Sequence, residues 1–155
     1  MTGEAPSLTI HATSLAIDGQ GILIMGPSGS GKSDLALRLI DRGARLISDD
    51  YTSVSPRDDG LLLSAPANIA ERMEIRHLGI IDMREIGPDL TAPAGTVLAK
   101  LAVQLEDRPE RMPEPDTMMM LAGHRLPLVR LAGLEASAPI KLEWALRLLL
   151  RDEGS

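Results

Sequence analysis

Residues 26–33 read Gly-Pro-Ser-Gly-Ser-Gly-Lys-Ser, and this G-x-x-x-x-G-K-[ST] spacing constrains the fold more than any other feature of the chain. A loop of this kind belongs between a strand and a helix, and both neighbours have the right pattern. Ile22-Leu23-Ile24-Met25 is a short apolar run that reads as a buried strand. Lys32 to Arg42 reads as a helix, with Leu35, Leu39 and Ile40 on one side and Ser33, Asp34 and Asp41 on the other. Gly26, Gly29 and Gly31 let the backbone curl until its N–H groups converge on an anion, and the helix adds its N-terminal dipole. All eight residues (Gly26, Pro27, Ser28, Gly29, Ser30, Gly31, Lys32 and Ser33) are therefore candidate nucleotide-binding positions. Lys32 is expected to reach the β- and γ-phosphates and the Ser33 hydroxyl to ligate Mg²⁺.

Composition narrows the ligand. The 155 residues suit one domain, residues 1–155, with an aliphatic core: Phe is absent, and Tyr51 and Trp144 are the only large aromatics. The net charge of −6, with a pI near 5.0 and no basic stripe, speaks against nucleic acid as a partner. No apolar run of about 18 residues exists, so no membrane span is expected. Met1 to Ser7 lacks a signal-peptide pattern, and without Cys there is neither disulfide nor thiolate chemistry. A soluble cytoplasmic protein is the expectation.

Leu8 to Ile17 reads as a half-buried strand, and Asp18-Gly19-Gln20-Gly21 as a turn. Gly43 stands where a left-handed helix cap belongs, and Arg45 to Ser48 is a strand that ends at Asp49-Asp50. Tyr51 to Ser55 and Leu61 to Ser64 flank a turn-rich Pro56 to Gly60 and suggest a hairpin. Ile69 to Asp82 carries an irregular turn and then the apolar run Leu78 to Asp82; Thr96 to Leu105 is another strand. Residues 106–116 hold three prolines among charges and form a loop. Met118 to Leu121 and Leu126 to Leu131 bracket a second hairpin around residues 122–125. Pro139 to Arg151 closes the chain as a helix, with Ile140, Trp144, Leu148 and Ala145 placed toward the core. Many strands and two clear helices make this an α/β protein with a mixed sheet.

Phosphoryl transfer also needs a metal beside the phosphates and a base for the nucleophile. Asp49 and Asp50 end the strand after the loop's helix, where ligands gather at the carboxyl ends of strands. Neighbours on a strand point to opposite faces, so at most one aims at the phosphate unless the chain bends. Asp82, at the end of an apolar run, competes for the metal. Asp58 and Asp59 sit in a turn where solvation is expected, and a lone His11 on the first strand is, from position alone, more often structural than functional.

Taken together, His11, the stretch Gly26 to Gly43, Leu46-Ile47-Ser48-Asp49-Asp50 and Met73 to Asp82 resemble the catalytic domain of bacterial HPr kinase/phosphorylase. That family phosphorylates a seryl hydroxyl of the small phosphocarrier HPr and removes the phosphate by phosphorolysis. Met73 to Asp82 resembles the family signature Glu-Ile-Arg-Gly-Leu-Gly-Ile-Ile-Asp and is the specific element, because generic phosphate-loop proteins lack it. The resemblance implies that ATP and Mg²⁺ are used, with Lys32 on the phosphates and Ser33 and Glu74 on the metal. It makes Asp50 the base, supported by Asp49 and His11, and matches Arg111 to a catalytic arginine. It further implies a P-loop kinase domain whose sheet is related to phosphoenolpyruvate carboxykinase, and a homo-oligomer, in the family a hexamer. The chain departs from the family in three ways. The N-terminal regulatory domain of the long members is expected to be missing, since His11 lies near the start of the sequence, and His77 stands where the signature has glycine. An arginine-rich stretch tied to dephosphorylation is reduced to Leu128 to Gly133, with Arg130 at the matching place and Arg125 nearby.

Three functions follow from this: an ATP-dependent serine kinase for an HPr-like carrier with weak phosphorolysis, a small-molecule kinase or nucleotide hydrolase, or a nucleotide-sensing module without activity. Lys32, Ser33, Asp50 and Glu74 occurring together argue against a pure sensor, which has no use for a base.

Overall fold

The computed structural model describes residues 6–154. The expectations on residues 1–5, including most of the Met1 to Ser7 segment, fall outside the described residues. A nine-stranded mixed sheet is built around its longest strand, β9 (Val97–Leu105). On one side β9 runs parallel to β3 (Gln20–Met25), the strand that feeds the glycine-rich loop. On the other side its first half pairs antiparallel with β6 (Gly60–Ser64) and its second half parallel with β11 (His124–Leu131). Beyond β3 lie β2 (Thr13–Ile17) and β4 (Arg45–Ser48), both antiparallel to their neighbours. Beyond β6 lie β5 (Thr52–Arg57) and β1 (Leu8–Ile10).

Side-chain alternation explains why β3 and β9 read as continuous apolar runs. Ile22, Ile24, Leu101, Val103 and Leu105 face one core, while Leu23 and Ala102 face another. The first core is closed by α1 (Lys32–Asp41), through Leu35, Ala36 and Leu39, and by α3 (Ala138–Gly154), through Ala138, Leu142 and Leu146. The second packs against the β1–β5–β6 wing through Val54, Leu61 and Leu63.

Local chemistry terminates these elements where expected. After α1 the Gly43 N–H donates to Ile40 O and the Ala44 N–H to Leu39 O, the paired bonds of a Schellman cap, with Gly43 at φ +110°. Asp18 and Gly19, both at positive φ, make a two-residue turn between β2 and β3. Ala122 and Gly123 do the same between β10 (Met118–Leu121) and β11. His124 and Arg125 are thus paired strand residues, not part of the turn. Pro56 is likewise inside β5, opposite Leu61; it lies past the end of β1, so its missing N–H disturbs no ladder on that edge. Residues 106–117 form no strand or helix, in keeping with the expected loop.

Three expectations are corrected. Leu8 to Ile17 is two strands: β1 pairs with β5 and β2 with β3 and β4, with His11 and Ala12 between them. Within Ile69 to Asp82 a strand was missed, because β7 (Arg72–Ile75) pairs with β8 (Gly79–Asp82) in a separate two-stranded sheet. In α3 the expected face is right at Ala145 but wrong at the other three positions. Ala138, Leu142 and Leu146 are buried, with Ala145 beside them, whereas Ile140, Trp144 and Leu148 are 43–51% exposed. Both stripes are apolar at helical spacing, and the packing against α1 and the sheet selects the one with Leu142 and Leu146. Trp144 instead lies under the Arg147 guanidinium, 4.4 Å from the ring centre.

Candidate active site

The glycine-rich loop leaves β3 at Gly26 and enters α1 at Gly31, whose φ of +94° no other residue adopts cheaply. No side chain caps α1, so the first N–H groups of the helix are left for an anion. A Cβ on Gly26 would come within 2.7 Å of Ser30 Oγ, so the loop closes tightly only because that position is glycine. Lys32 is buried, and its ammonium donates to the carbonyls of Gly26 (2.7 Å) and Pro27 (3.1 Å), inside the curl of the loop.

The acids are separated by a bend. The Tyr51 N–H donates to Asp49 O at 2.7 Å across Asp50, which has φ +70°. This is a γ-turn of the rare positive-φ kind, a strained conformation for any residue with a Cβ. The chain therefore does not run on as a straight strand here, and the two carboxylates take different surroundings. Asp49, 7% exposed, accepts from Ser33 Oγ (2.6 Å), Thr13 Oγ1 (3.3 Å) and the Glu74 N–H (3.0 Å). Asp50 is exposed and meets His11 Nε2 at 2.8 Å.

The bend and the break at His11 are one feature. The β1–β5 and β2–β4 ladders share a register on either side of the gap, so His11 faces Tyr51 and Thr13 faces Asp49 across it. The His11 and Tyr51 rings stack with centroids 5.2 Å apart. Thr13 Oγ1 both donates to Asp49 and accepts the Asp50 N–H (3.1 Å), which ties the two acids together. Beneath them, Ser14 Oγ meets Thr52 Oγ1, which in turn donates to Ala12 O, and Ser48 Oγ donates to Tyr51 O. Sequence reasoning missed Thr13 and Tyr51. The signal was weak: one hydroxyl two residues after His11, and an aromatic next to Asp-Asp in a chain with almost none.

Glu74 lies on β7 with its side chain exposed, opposite in sense to Met73, which is buried in the core. Asp82 serves as N-cap of α2 (Met83–Ile86), its Oδ1 accepting from Arg84 N (3.1 Å) and Glu85 N (3.3 Å). Arg111 is exposed in the 106–117 loop and makes no hydrogen bond or ion pair with the group among the described residues. No set of three or more metal-ligating side chains converges among the described residues. Two cavities of about 330 and 370 Å³ lie at the other end of the strands, around Arg45, Pro93 and Val97, and hold none of these groups.

The family model described as HPr Serine kinase C-terminal domain matches residues 4–132. The chain belongs to that family. Among curated relatives, the HPr kinase/phosphorylase of Geobacillus sp. (strain WCH70) is 46% identical over 80 residues, covering 51% of this chain and 26% of that protein. The HPr kinase/phosphorylase of Xanthomonas campestris pv. campestris (strain B100) is 38% identical over 122 residues, covering 77% of this chain and 37% of that protein. The chain thus spans roughly a quarter to just over a third of the curated relatives it matches. A solved structure described as the Hpr(Ser) kinase/phosphatase from Coxiella burnetii superposes with a TM-score of 0.81 at 29% identity, covering 96% of this chain and 99% of that one. The α/β architecture with its mixed sheet is therefore a property of the family. No helix among the described residues is long and apolar enough to cross a membrane.

Proposed function

We propose that the chain is an ATP- and Mg²⁺-dependent protein serine kinase acting on an HPr-like phosphocarrier, with weak phosphorolysis in reverse. The observation that carries this reading is the division of labour between two adjacent acids: Asp49 buried on the loop serine, Asp50 exposed on His11. In the forward direction the seryl O–H approaches Asp50. The carboxylate accepts its proton as the oxygen attacks the terminal phosphorus and the bond to the ADP oxygen breaks. With His11 on Oδ1, the second carboxylate oxygen is left for that proton. Lys32 and the N-terminus of α1 answer the charge on the phosphates.

The residues suit Mg²⁺, which takes one or two protein oxygens and fills its remaining positions with phosphate and water. Ser33, its proton directed to Asp49, offers a lone pair, and Glu74 is the nearby exposed carboxylate. When bound, the ion would neutralise charge on the phosphate oxygens. Arg111 belongs to this proposal as a cation brought in by its loop. So do the phosphoenolpyruvate carboxykinase-like sheet, a single catalytic domain over the described residues, a cytoplasmic location and a homo-oligomer, for which the hexamer of the family is the expectation.

The test is incubation with γ-labelled ATP, Mg²⁺ and candidate carrier proteins. Label on a carrier serine is the expected result. Label on a small molecule, or release of phosphate with no labelled carrier, would replace the reading with a small-molecule kinase or a hydrolase.

A further inference from the structure

We propose that Leu134 is the platform on which the nucleoside half of the bound nucleotide rests. This deepens the nucleotide reading above and depends on it. The groups assigned to the terminal phosphate (Ser33, Asp49, Asp50 and His11) gather around the ends of β2 and β4. A polyphosphate with its last phosphorus there must run its other end to the opposite side of β3, where the parallel strands β9 and β11 end. The segment after β11 is the one pressed against the loop. A Cβ on Gly31 would lie 2.7 Å from Leu134 Cδ2, and a Cβ on Gly133 would lie 2.9 Å from Ser30 O. The two glycines let the segment and the loop meet backbone to backbone, with Leu134 lying over Gly31.

Leu134 is nevertheless 70% exposed, an aliphatic side chain held at the mouth of a polar site. Its position is fixed from α1. The Arg38 guanidinium donates to the carbonyls of Glu135 (2.8 Å) and Gly133, and pairs with Asp34 (3.0 Å). Ala138 N–H closes the turn onto Glu135 O. An aromatic cannot take this role, because Tyr51 is stacked on His11 and Trp144 lies on the outer face of α3. A sugar and base laid on Leu134 would bury its exposed methyl groups and gain apolar contact that a bare polyphosphate does not.

The experiment is calorimetric titration of the full chain in Mg²⁺ with ADP and, separately, with pyrophosphate. Leu134→Ala is expected to weaken ADP roughly 3- to 10-fold while pyrophosphate stays within about two-fold, and Leu134→Met to restore most of the ADP affinity. Met112, the exposed apolar residue of the loop after β9, serves as the control, and Met112→Ala should change neither ligand. Equal losses of ADP and pyrophosphate in Leu134→Ala, or a selective ADP loss in Met112→Ala instead, overturns the proposal. A wild-type chain that binds pyrophosphate as tightly as ADP overturns it too, with the phosphate reading intact. Binding of neither ligand removes the nucleotide reading itself, and the platform with it.

Discussion

Asp49 and Asp50 are chemically the same residue, and the backbone between them makes them different. The γ-turn at Asp50 sends one carboxylate inward onto three donors and leaves the other in solvent beside His11. Asp50→Asn should therefore lower turnover by about 10²–10⁴-fold with little change in nucleotide affinity or melting, since Asn tolerates positive φ but cannot take the seryl proton. Steady-state kinetics with a labelled carrier checks this; a larger turnover loss in Asp49→Asn would reverse the assignment. The expected signature of Asp49→Asn is structural. Its amide offers one acceptor where three donors converge, so denaturant unfolding should show a loss of about 1–3 kcal/mol. Glu74→Gln should raise the Mg²⁺ concentration needed for half-maximal activity, and an unchanged titration would remove Glu74 from the metal. The types and spacing of these residues were legible in the sequence. Their roles within the pair came from the family resemblance and not from the strand pattern, because the period-two rule assumes an extended chain and a single positive φ suspends it.

Elements with one dominant local signal were read correctly, and those with two competing signals were not. The glycine caps and the Asp-Gly turn have no rival conformation, so α1 and the β2–β3 hairpin lie close to where the sequence puts them. α3 carries two apolar stripes, and only tertiary packing selects between them. The selection can be tested directly: Leu142→Ala should cost about 2–5 kcal/mol as a buried cavity, and Leu148→Ala less than about 1 kcal/mol. Comparable losses in denaturant unfolding would put the stripe with Trp144 back against the core. β7 was missed although Arg-Met-Glu-Ile alternates as a strand does, because four residues are too few for the period to stand out. At the tip of that hairpin His77 sits at φ +75°, which gives the glycine of the family signature a physical reason. His77→Gly should stabilise the chain by about 0.5–1 kcal/mol after the added chain entropy is subtracted from the relief of strain, raising Tm by about 1–3 °C. A lower Tm would mean that the His77 side chain makes contacts worth more than the strain.

Across the whole molecule, β9 sets which groups can share a site. Its parallel partners β3 and β11 deliver the glycine-rich loop and the 132–137 segment to one edge, and the acids arrive there from β4. Any cation needed for chemistry must reach that same edge, which bears on the direction of the reaction. Phosphorolysis holds inorganic phosphate against a phosphoserine, and two unit charges about 4 Å apart repel by about 4 kcal/mol at an effective dielectric near 20. A chain of net charge −6 does nothing to gather a second anion. Arg130 ends β11 close to the loop, but its Nε donates to Glu106 at 3.1 Å, so part of its charge is already answered. Arg125 is no substitute: six strand residues before Leu131, it lies about 20 Å from the end of β11 that meets the loop. Arg111 remains, on an exposed loop, and a cation there would serve the forward direction as readily as the reverse. The kinase reaction, with one bound polyphosphate and a neutral hydroxyl, lacks this repulsion. Pyrophosphate release from seryl-phosphorylated carrier at saturating phosphate should accordingly run at least about ten-fold slower than phosphorylation of the same carrier, a difference of about 1.4 kcal/mol in barrier. Glu106→Gln, which frees Arg130, should narrow that gap by speeding the reverse step alone. Comparable rates in the unaltered chain would mean that another cation, such as an arginine from a second copy of the chain, completes the site.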